Sequence, residues 1–167
     1  MTDILTTRLQ LHAIDVVQAE RIVARRPAAT DTWADDFPFE GDVIAVTNFL
    51  RASIAIGELR PFGHYVVTRR SDSQAIGGIG FKDAPVDGFA EIGYGLVPSA
   101  RGNGFAAEAL SALVTLAEEN GLSRLIAETT PDNIASQRTL TKTGFDLVHA
   151  DVNLNHYEIL FAGPTTA

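Results

Sequence analysis

The sequence predicts an α/β chain of the α+β kind: a mixed, mostly antiparallel sheet with one central parallel βαβ unit and helices on both faces. Three observations predict it. Three strand-like runs, "HYVVTRR" from His64, "AIGGIGFK" from Ala75 and "FAEIGYGLV" from Phe89, are joined by short turn-like stretches, Ser71–Gln74 and Asp83–Gly88, as in an antiparallel meander. A long helical pattern then separates the last run from "RLIAETT" (Arg124–Thr130). Strand, long helix, strand implies a parallel pair with a right-handed crossover. Finally, 167 residues that are 46% hydrophobic suffice for one domain, residues 1–167, with a sizeable core.

The elements follow in chain order. "RLQLHAI" (Arg8–Ile14) alternates and reads as a first strand. Asp15 is placed to cap a helix from Val16 to Arg26, ended by Pro27. Thr30–Asp42 reads as a loop from its Pro, Gly and acidic content, and a second helix runs from Val43 to Leu59, before Pro61. The three meander strands come next. The helix after "RGNG" shows an apolar face at Ala106, Ala109, Leu110, Leu113 and Ala117, and Asn120–Gly121 stops it. After the strand Arg124–Thr130, "PDN" (Pro131–Asn133) starts a helix through Lys142 that Gly144 ends. "FDLVHADV" and "HYEILFA" finish as an antiparallel pair around "NLN".

Composition excludes several classes. There is no cysteine, hence no disulfide, thiolate metal site or cysteine nucleophile, which suits a cytoplasmic, reducing setting. The four histidines, His12, His64, His149 and His156, show no metal-ligand spacing, so no metal is expected. "MTDILTTRLQ" does not read as a signal peptide, and no apolar run approaches the roughly 20 residues that span a bilayer, so no membrane partner is expected. A net charge of −8 disfavours nucleic acid as the main ligand.

The stretch "IGYGLVPSARGNGFAAEAL" concentrates the functional signal. A strand leads through Pro98 into Arg101, two glycines and small residues that open a helix. Helix N-termini carry unpaired N–H groups and partial positive charge, and glycines there admit a pyrophosphate. It is not a Walker A loop. It matches G-x-G-x-x-A at Gly102, Gly104 and Ala107, with Glu128 at the end of the next strand, as a dinucleotide site requires. Against that reading, "PSAR" intervenes between strand and first glycine, a meander precedes it, and too little chain follows for a doubly wound sheet.

The same stretch also reads R-x-x-G-x-A at Arg101, Gly104 and Ala106, and so resembles the acyl-CoA-binding motif of the Gcn5-related N-acetyltransferase (GNAT) superfamily. "TTRLQL", "FPFEGD", "AEIGYGLVPSARGNGFAAEAL" and "PDNIASQRTLTKTGF" are similar to the branch of the ribosomal-protein N-terminal acetyltransferases RimJ and RimL. The likeness covers nearly the whole chain and is most specific from Ala90 to Phe145. It implies a splayed sheet and transfer of acetyl from acetyl-CoA to a primary amine, with no acyl-enzyme. It places backbone of Leu96 and Val97 beside the pantetheine and thioester. Amides from Gly102, Asn103, Gly104, Phe105 and Ala106, with Arg101, fall at the pyrophosphate, and Asn133 at the pantetheine arm.

An attacking amine must be neutral, so a base is needed. Glu91, on the strand leading into the loop and sharing a face with Gly93 and Gly95, is the candidate; its alternative is a cross-strand ion pair. Many members of the family protonate the leaving thiolate with a tyrosine, where this chain has Leu140; the RimL-like branch offers a serine, matching Ser136. Ser136 and Asn133 equally suit a helix start. Tyr94 falls on the strand face opposite Glu91 and is read as packing, and Tyr157 has no assigned role. Trp33, Phe37 and Phe39 with Asp35, Asp36, Glu40 and Asp42 form either an acidic border of an amine site or an anchored surface loop. The acceptor is a protein N-terminal α-amine or a small-molecule amine, and the assembly a monomer or homodimer. Two other classes stay open: a non-catalytic acyl-CoA-binding regulator and an NAD-dependent oxidoreductase.

Overall fold

The computed structural model describes residues 3–163. They form one eight-stranded sheet in the order β1-β2-β3-β4-β5-β6-β8-β7. Its strands are β1 (Ile4–Leu5), β2 (Leu9–Ala13), β3 (His64–Arg69), β4 (Gln74–Phe81), β5 (Phe89–Leu96), β6 (Arg124–Thr129), β7 (Asp146–Ala150) and β8 (Asn155–Leu160). The helices are α1 (Val16–Val23), α2 (Glu40–Ile56), α3 (Phe105–Glu119) and α4 (Ile134–Lys142). Only β5 and β6 run parallel; every other neighbouring pair is antiparallel. The meander, the crossover through α3 and the final hairpin therefore match the sequence reading. The last strand, β8, inserts between β6 and β7. No helix among the described residues is long and apolar enough to cross a membrane.

Local chemistry explains most boundaries. Asp15 caps α1: its carboxylate accepts the Gln18 N–H at 2.7 Å, and the Gln18 side chain returns a bond to the Asp15 N–H at 3.0 Å. The helix stops at Val23, three residues short of Arg26, because the chain turns back through Arg25 at φ 54°. α2 starts at Glu40, inside the stretch read as loop. Asp42, in its first turn, accepts the Phe39 N–H at 3.1 Å and so caps the helix from within. Two-residue β1, too short to show an alternating pattern, pairs with Gln10 and Leu11. The loop before α2 is tied down. Ala34 donates to the Ala75 carbonyl and Ala75 to that of Thr32, Phe37 is buried, and Trp33 meets its ring edge-on at 5.2 Å.

The core lies between the sheet and its helices. Ala109, Leu110, Leu113 and Ala117 bury the expected face of α3, while Phe105 takes the buried place expected for Ala106, which is half-buried. Under α2, four glycines remove side-chain bulk from β4 and β5, paired as Gly78 with Gly95 and Gly80 with Gly93. A Cβ on Gly95 would lie 2.7 Å from the Phe39 ring, and one on Gly78 would lie 2.5 Å from His64 Nε2 and 3.3 Å from Asp42 Oδ1. The glycines thus leave room over β4 and β5 for the side chains of Phe39, Asp42 and His64.

Burial moves both titratable groups toward neutrality, Asp42 up to about 7 and His64 down to about 4. Their effects on stability oppose each other. Folded Asp42 holds its proton above the unfolded pKa of 3.8, so its contribution is present below that value and lost as pH rises toward 7. His64 contributes above its unfolded value of 6.5 and loses that contribution as pH falls toward 4. Asp42→Asn retains an acceptor for Phe39 and removes only the first limb. In denaturant unfolding it should therefore gain stability relative to the wild type as pH rises from about 4 to 7; a constant difference would mean that Asp42 titrates at its ordinary pKa.

Candidate active site

β5 and β6 begin as a regular parallel pair, Phe89 with Arg124, Ala90 with Leu125 and Glu91 with Ile126, and pairing then stops. Beyond Glu91, β5 stays on β4 as far as Leu96, while β6 stays on β8 as far as Thr129. The two strands part in a V whose inner backbone edges face no strand, and such groups call for a partner. A cleft of about 460 Å³ occupies this opening, bounded by Tyr94–Leu96 of β5, the start of α3, Asn133 and Ser136 at the start of α4, and Phe39.

The head of α3 forms one wall. Its N-cap, Gly104, is left-handed at φ 78° and offers no side-chain cap, so the first-turn amides stay open. Gly102 is also left-handed, at φ 80°, and a Cβ there would meet nothing within 4 Å. Arg101 Nε donates to the Leu96 carbonyl at 2.9 Å, and its guanidinium lies 5.5 Å from the centre of the Phe39 ring. The Asn103 amide braces the turn through the carbonyls of Ala100 and Arg101.

Behind the turn stands a scaffold that sequence spacing did not reveal. Glu108, one turn into α3, accepts from Thr6 Oγ1 at 2.6 Å, the Arg8 N–H at 2.7 Å and Arg8 Nε at 2.7 Å. Arg8 also donates to the Asn103 carbonyl at 2.8 Å and covers the Phe105 ring at 4.5 Å. The β1–β2 turn thus fixes the anion-facing end of α3 and adds a second cation there. From the other side Asp36 accepts both the Ser99 N–H, at 2.9 Å, and its hydroxyl, at 2.7 Å. These bonds from Ser99 hold its carboxyl below the usual range.

At the α4 wall, Asn133 is the N-cap: its Oδ1 accepts the Ser136 N–H at 3.1 Å. Ser136 Oγ lies 2.8 Å from the Tyr94 hydroxyl. Burial pushes that hydroxyl up to about 12, the bond to Ser136 opposing the rise. The alternation of β5 reads Tyr94 as packing; in the fold it is half-buried, lines the cleft and touches Ser136, 42 positions away in the chain.

Two other sequence candidates sit apart from the cleft. Val97 is fully buried and its N–H donates to the Ile76 carbonyl at 2.9 Å, so that amide is committed to the sheet. Glu91 forms an ion pair with Lys82, the residue that follows β4. Lys82 and Gly93 line a second cavity, of about 320 Å³, with His64, Phe81 and α2 residues including Ile44 and Asn48. It opens on the sheet face that carries the glycines, opposite Tyr94. The dinucleotide reading loses its ribose acid, since Glu128 is engaged by His156 Nδ1 at 3.0 Å, and the single parallel pair is not a doubly wound sheet.

Comparison with known proteins decides the family: the profile of the acetyltransferase (GNAT) domain matches residues 8–146. The chain belongs to the GNAT acetyltransferase family. It is 28% identical over 162 residues to YjdG, an uncharacterized N-acetyltransferase of Bacillus subtilis (strain 168), covering 91% of this chain and 94% of that one. YoaA, an uncharacterized N-acetyltransferase of the same organism, is 31% identical over 145 residues, 78% of this chain and 82% of its own. The fold is also that of RimL, the ribosomal L7/L12 α-N-protein acetyltransferase, solved in complex with coenzyme A. That match has a TM-score of 0.66 at 21% identity over 95% of this chain and 98% of that one. This GNAT protein is thus an N-acetyltransferase with RimL-like architecture.

For this GNAT protein, Arg101→Ala removes a full positive charge that borders both the head of α3 and Phe39. It should weaken acetyl-CoA about tenfold in a binding titration, the scale of one charge-assisted contact. Unchanged affinity would place the pyrophosphate elsewhere.

Proposed function

We propose that this GNAT protein transfers acetyl from acetyl-CoA directly to a primary amine in a ternary complex, and that the amine is a protein N-terminal α-amine. The observation that carries the reading is the gap between β5 and β6, with an uncapped, cation-flanked helix N-terminus at its mouth. First-turn amides of α3 and Arg101 would bind the pyrophosphate, and the unpaired edge of β5 near Leu96 would align the pantetheine. The thioester supplies an activated acyl group when bound. The amine would approach from the cavity beside Gly93, where Glu91, paired with Lys82, would take its proton.

An α-amine has a pKa near 8 against about 10.4 for lysine, so its neutral fraction at pH 7 is a few hundred-fold larger. A carboxylate suffices as base for the first far better than for the second. The RimL-like architecture favours the same acceptor.

At the other end, Tyr94 and Ser136 would face the departing sulfur. A proton passing from Tyr94, at about 12, to a thiolate of pKa about 8.5 runs uphill by roughly 5 kcal/mol. Their role is therefore to donate hydrogen bonds to developing negative charge rather than to surrender a proton. Tyr94→Phe should lower kcat about tenfold, with little change in the acetyl-CoA KM; an equal rise in KM would make Tyr94 a binding contact only.

The test of the function is thiol release from acetyl-CoA with three acceptors: a peptide with a free Ser or Ala N-terminus, the same peptide N-terminally blocked but carrying lysine, and a polyamine. Turnover with the first alone supports the reading. Turnover with the polyamine alone would make the enzyme a small-amine acetyltransferase, and binding without turnover a regulator.

A further inference from the structure

The β7–β8 hairpin carries a cluster that acyl transfer does not use. β7 and β8 pair at Leu147 with Tyr157, then slip by one residue, so that His149 rather than Val148 stands opposite His156. A bulge re-aims side chains; here it brings the two imidazoles together, with ring centres 5.3 Å apart. Asp151 closes the group. Its Oδ1 accepts the N–H groups of Asn153 at 2.7 Å and Leu154 at 2.9 Å, which fixes the carboxylate. Its Oδ2 lies 3.8 Å from His149 Nε2 and 3.6 Å from His156 Nε2. All three candidate donor atoms fall within 4.8 Å of one another.

His156 is oriented from behind. Its Nδ1 lies 3.0 Å from Glu128 Oε1 on β6. A carboxylate there accepts a hydrogen bond from Nδ1–H, which in the neutral ring keeps the proton on Nδ1 and leaves the Nε2 lone pair pointing at Asp151. A lone pair facing a carboxylate oxygen is repulsive unless a proton or a cation lies between them. Tetrahedral zinc with nitrogen and oxygen donors near 2.1 Å has donor–donor edges of about 3.4 Å. The Nε2–Oδ2 separations exceed that by only a few tenths of an ångström.

We propose that His149, Asp151 and His156 bind one divalent transition metal of the zinc class, with Glu128 holding His156 in the ligating tautomer. Two neutral imidazoles and one carboxylate suit zinc, nickel or copper rather than magnesium or calcium, which prefer all-oxygen sites. A fourth coordination position remains toward solvent. Every residue of β7 is exposed, so the metal would act as a clasp on an edge strand that little packing holds. The ligand set was hidden in the sequence because the bulge that aligns His149 with His156 has no signature in the spacing.

The test is calorimetric titration of zinc chloride into the chelator-treated full chain at pH 7.5, with the histidine ring signals followed by NMR. One-to-one binding is expected, with shifts at His149 and His156 and none at His12 or His64. His149→Gln and His156→Gln should each weaken it at least tenfold, and Glu128→Gln roughly tenfold. His149 and Glu128 are exposed and His156 is half-buried, and unchanged metal-free melting would confirm that these variants stay folded. No one-to-one heat, binding that survives His149→Gln, or shifts centred on His12 would overturn the assignment.

Discussion

Glu91→Gln is expected to lower kcat by roughly 10²–10³-fold near neutral pH and to regain much of that loss above about pH 9, where an α-amine is neutral without help. Gln keeps the size and much of the hydrogen-bonding capacity of Glu but cannot take a proton. The side chain leans on Lys82 across β4 and β5, next to the cavity beside Gly93. An ion pair of this kind on a sheet surface adds little stability, so the variant should fold normally and bind acetyl-CoA with unchanged affinity. A pH–rate profile parallel to the wild type would reduce Glu91 to a cross-strand partner of Lys82. The base would then have to be another group near the glycine face, and Asp42, held near 7 by burial, would be the next to examine.

The largest stability effect is expected at Gly77. A Cβ there would lie 2.3 Å from the Gly95 carbonyl oxygen and 2.9 Å from the Leu96 Cα, and both are backbone atoms that cannot swing aside. Gly77→Ala must therefore part β4 from β5 at the rim of the cleft. A cost of about 3 kcal/mol or more is expected, at the upper end for overpacking. Gly121→Ala is the matched control. It also sits at positive φ, 81°, but opens on free space, so only the left-handed backbone should count, at about 1 kcal/mol. Denaturant unfolding of both variants checks the order. Equal midpoints would show that β4 and β5 have slack at this point.

Elements dictated by local chemistry were legible. Asp15 with Gln18, the alternation of Leu9–Ala13, and the glycines around Asn103 carry their structure in neighbouring residues. The part of the site that depends on contacts between distant segments was not. Period-two alternation correctly put Tyr94 opposite Glu91, but only the fold brings α4 over that face and Ser136 to its hydroxyl. Glu108 reads as a solvent-facing helix acid until the β1–β2 turn, 100 positions away, delivers Arg8 to it. Asp42 looked like a loop acid because Pro38 and Gly41 mask a helix start; in the fold it caps α2 and is buried under it. The family resemblance puts the Val97 backbone beside the thioester, whereas in the fold its amide closes the sheet onto Ile76.

The central claim is that the V between β5 and β6, headed by the open end of α3, is built for acetyl-CoA. Calorimetric titration of the purified protein with acetyl-CoA, and separately with NADH, tests it most directly. Saturable one-to-one binding of acetyl-CoA, with no heat from NADH, is the predicted result. Binding of NADH with no response to acetyl-CoA would contradict it and restore the dinucleotide reading of Gly102 and Gly104.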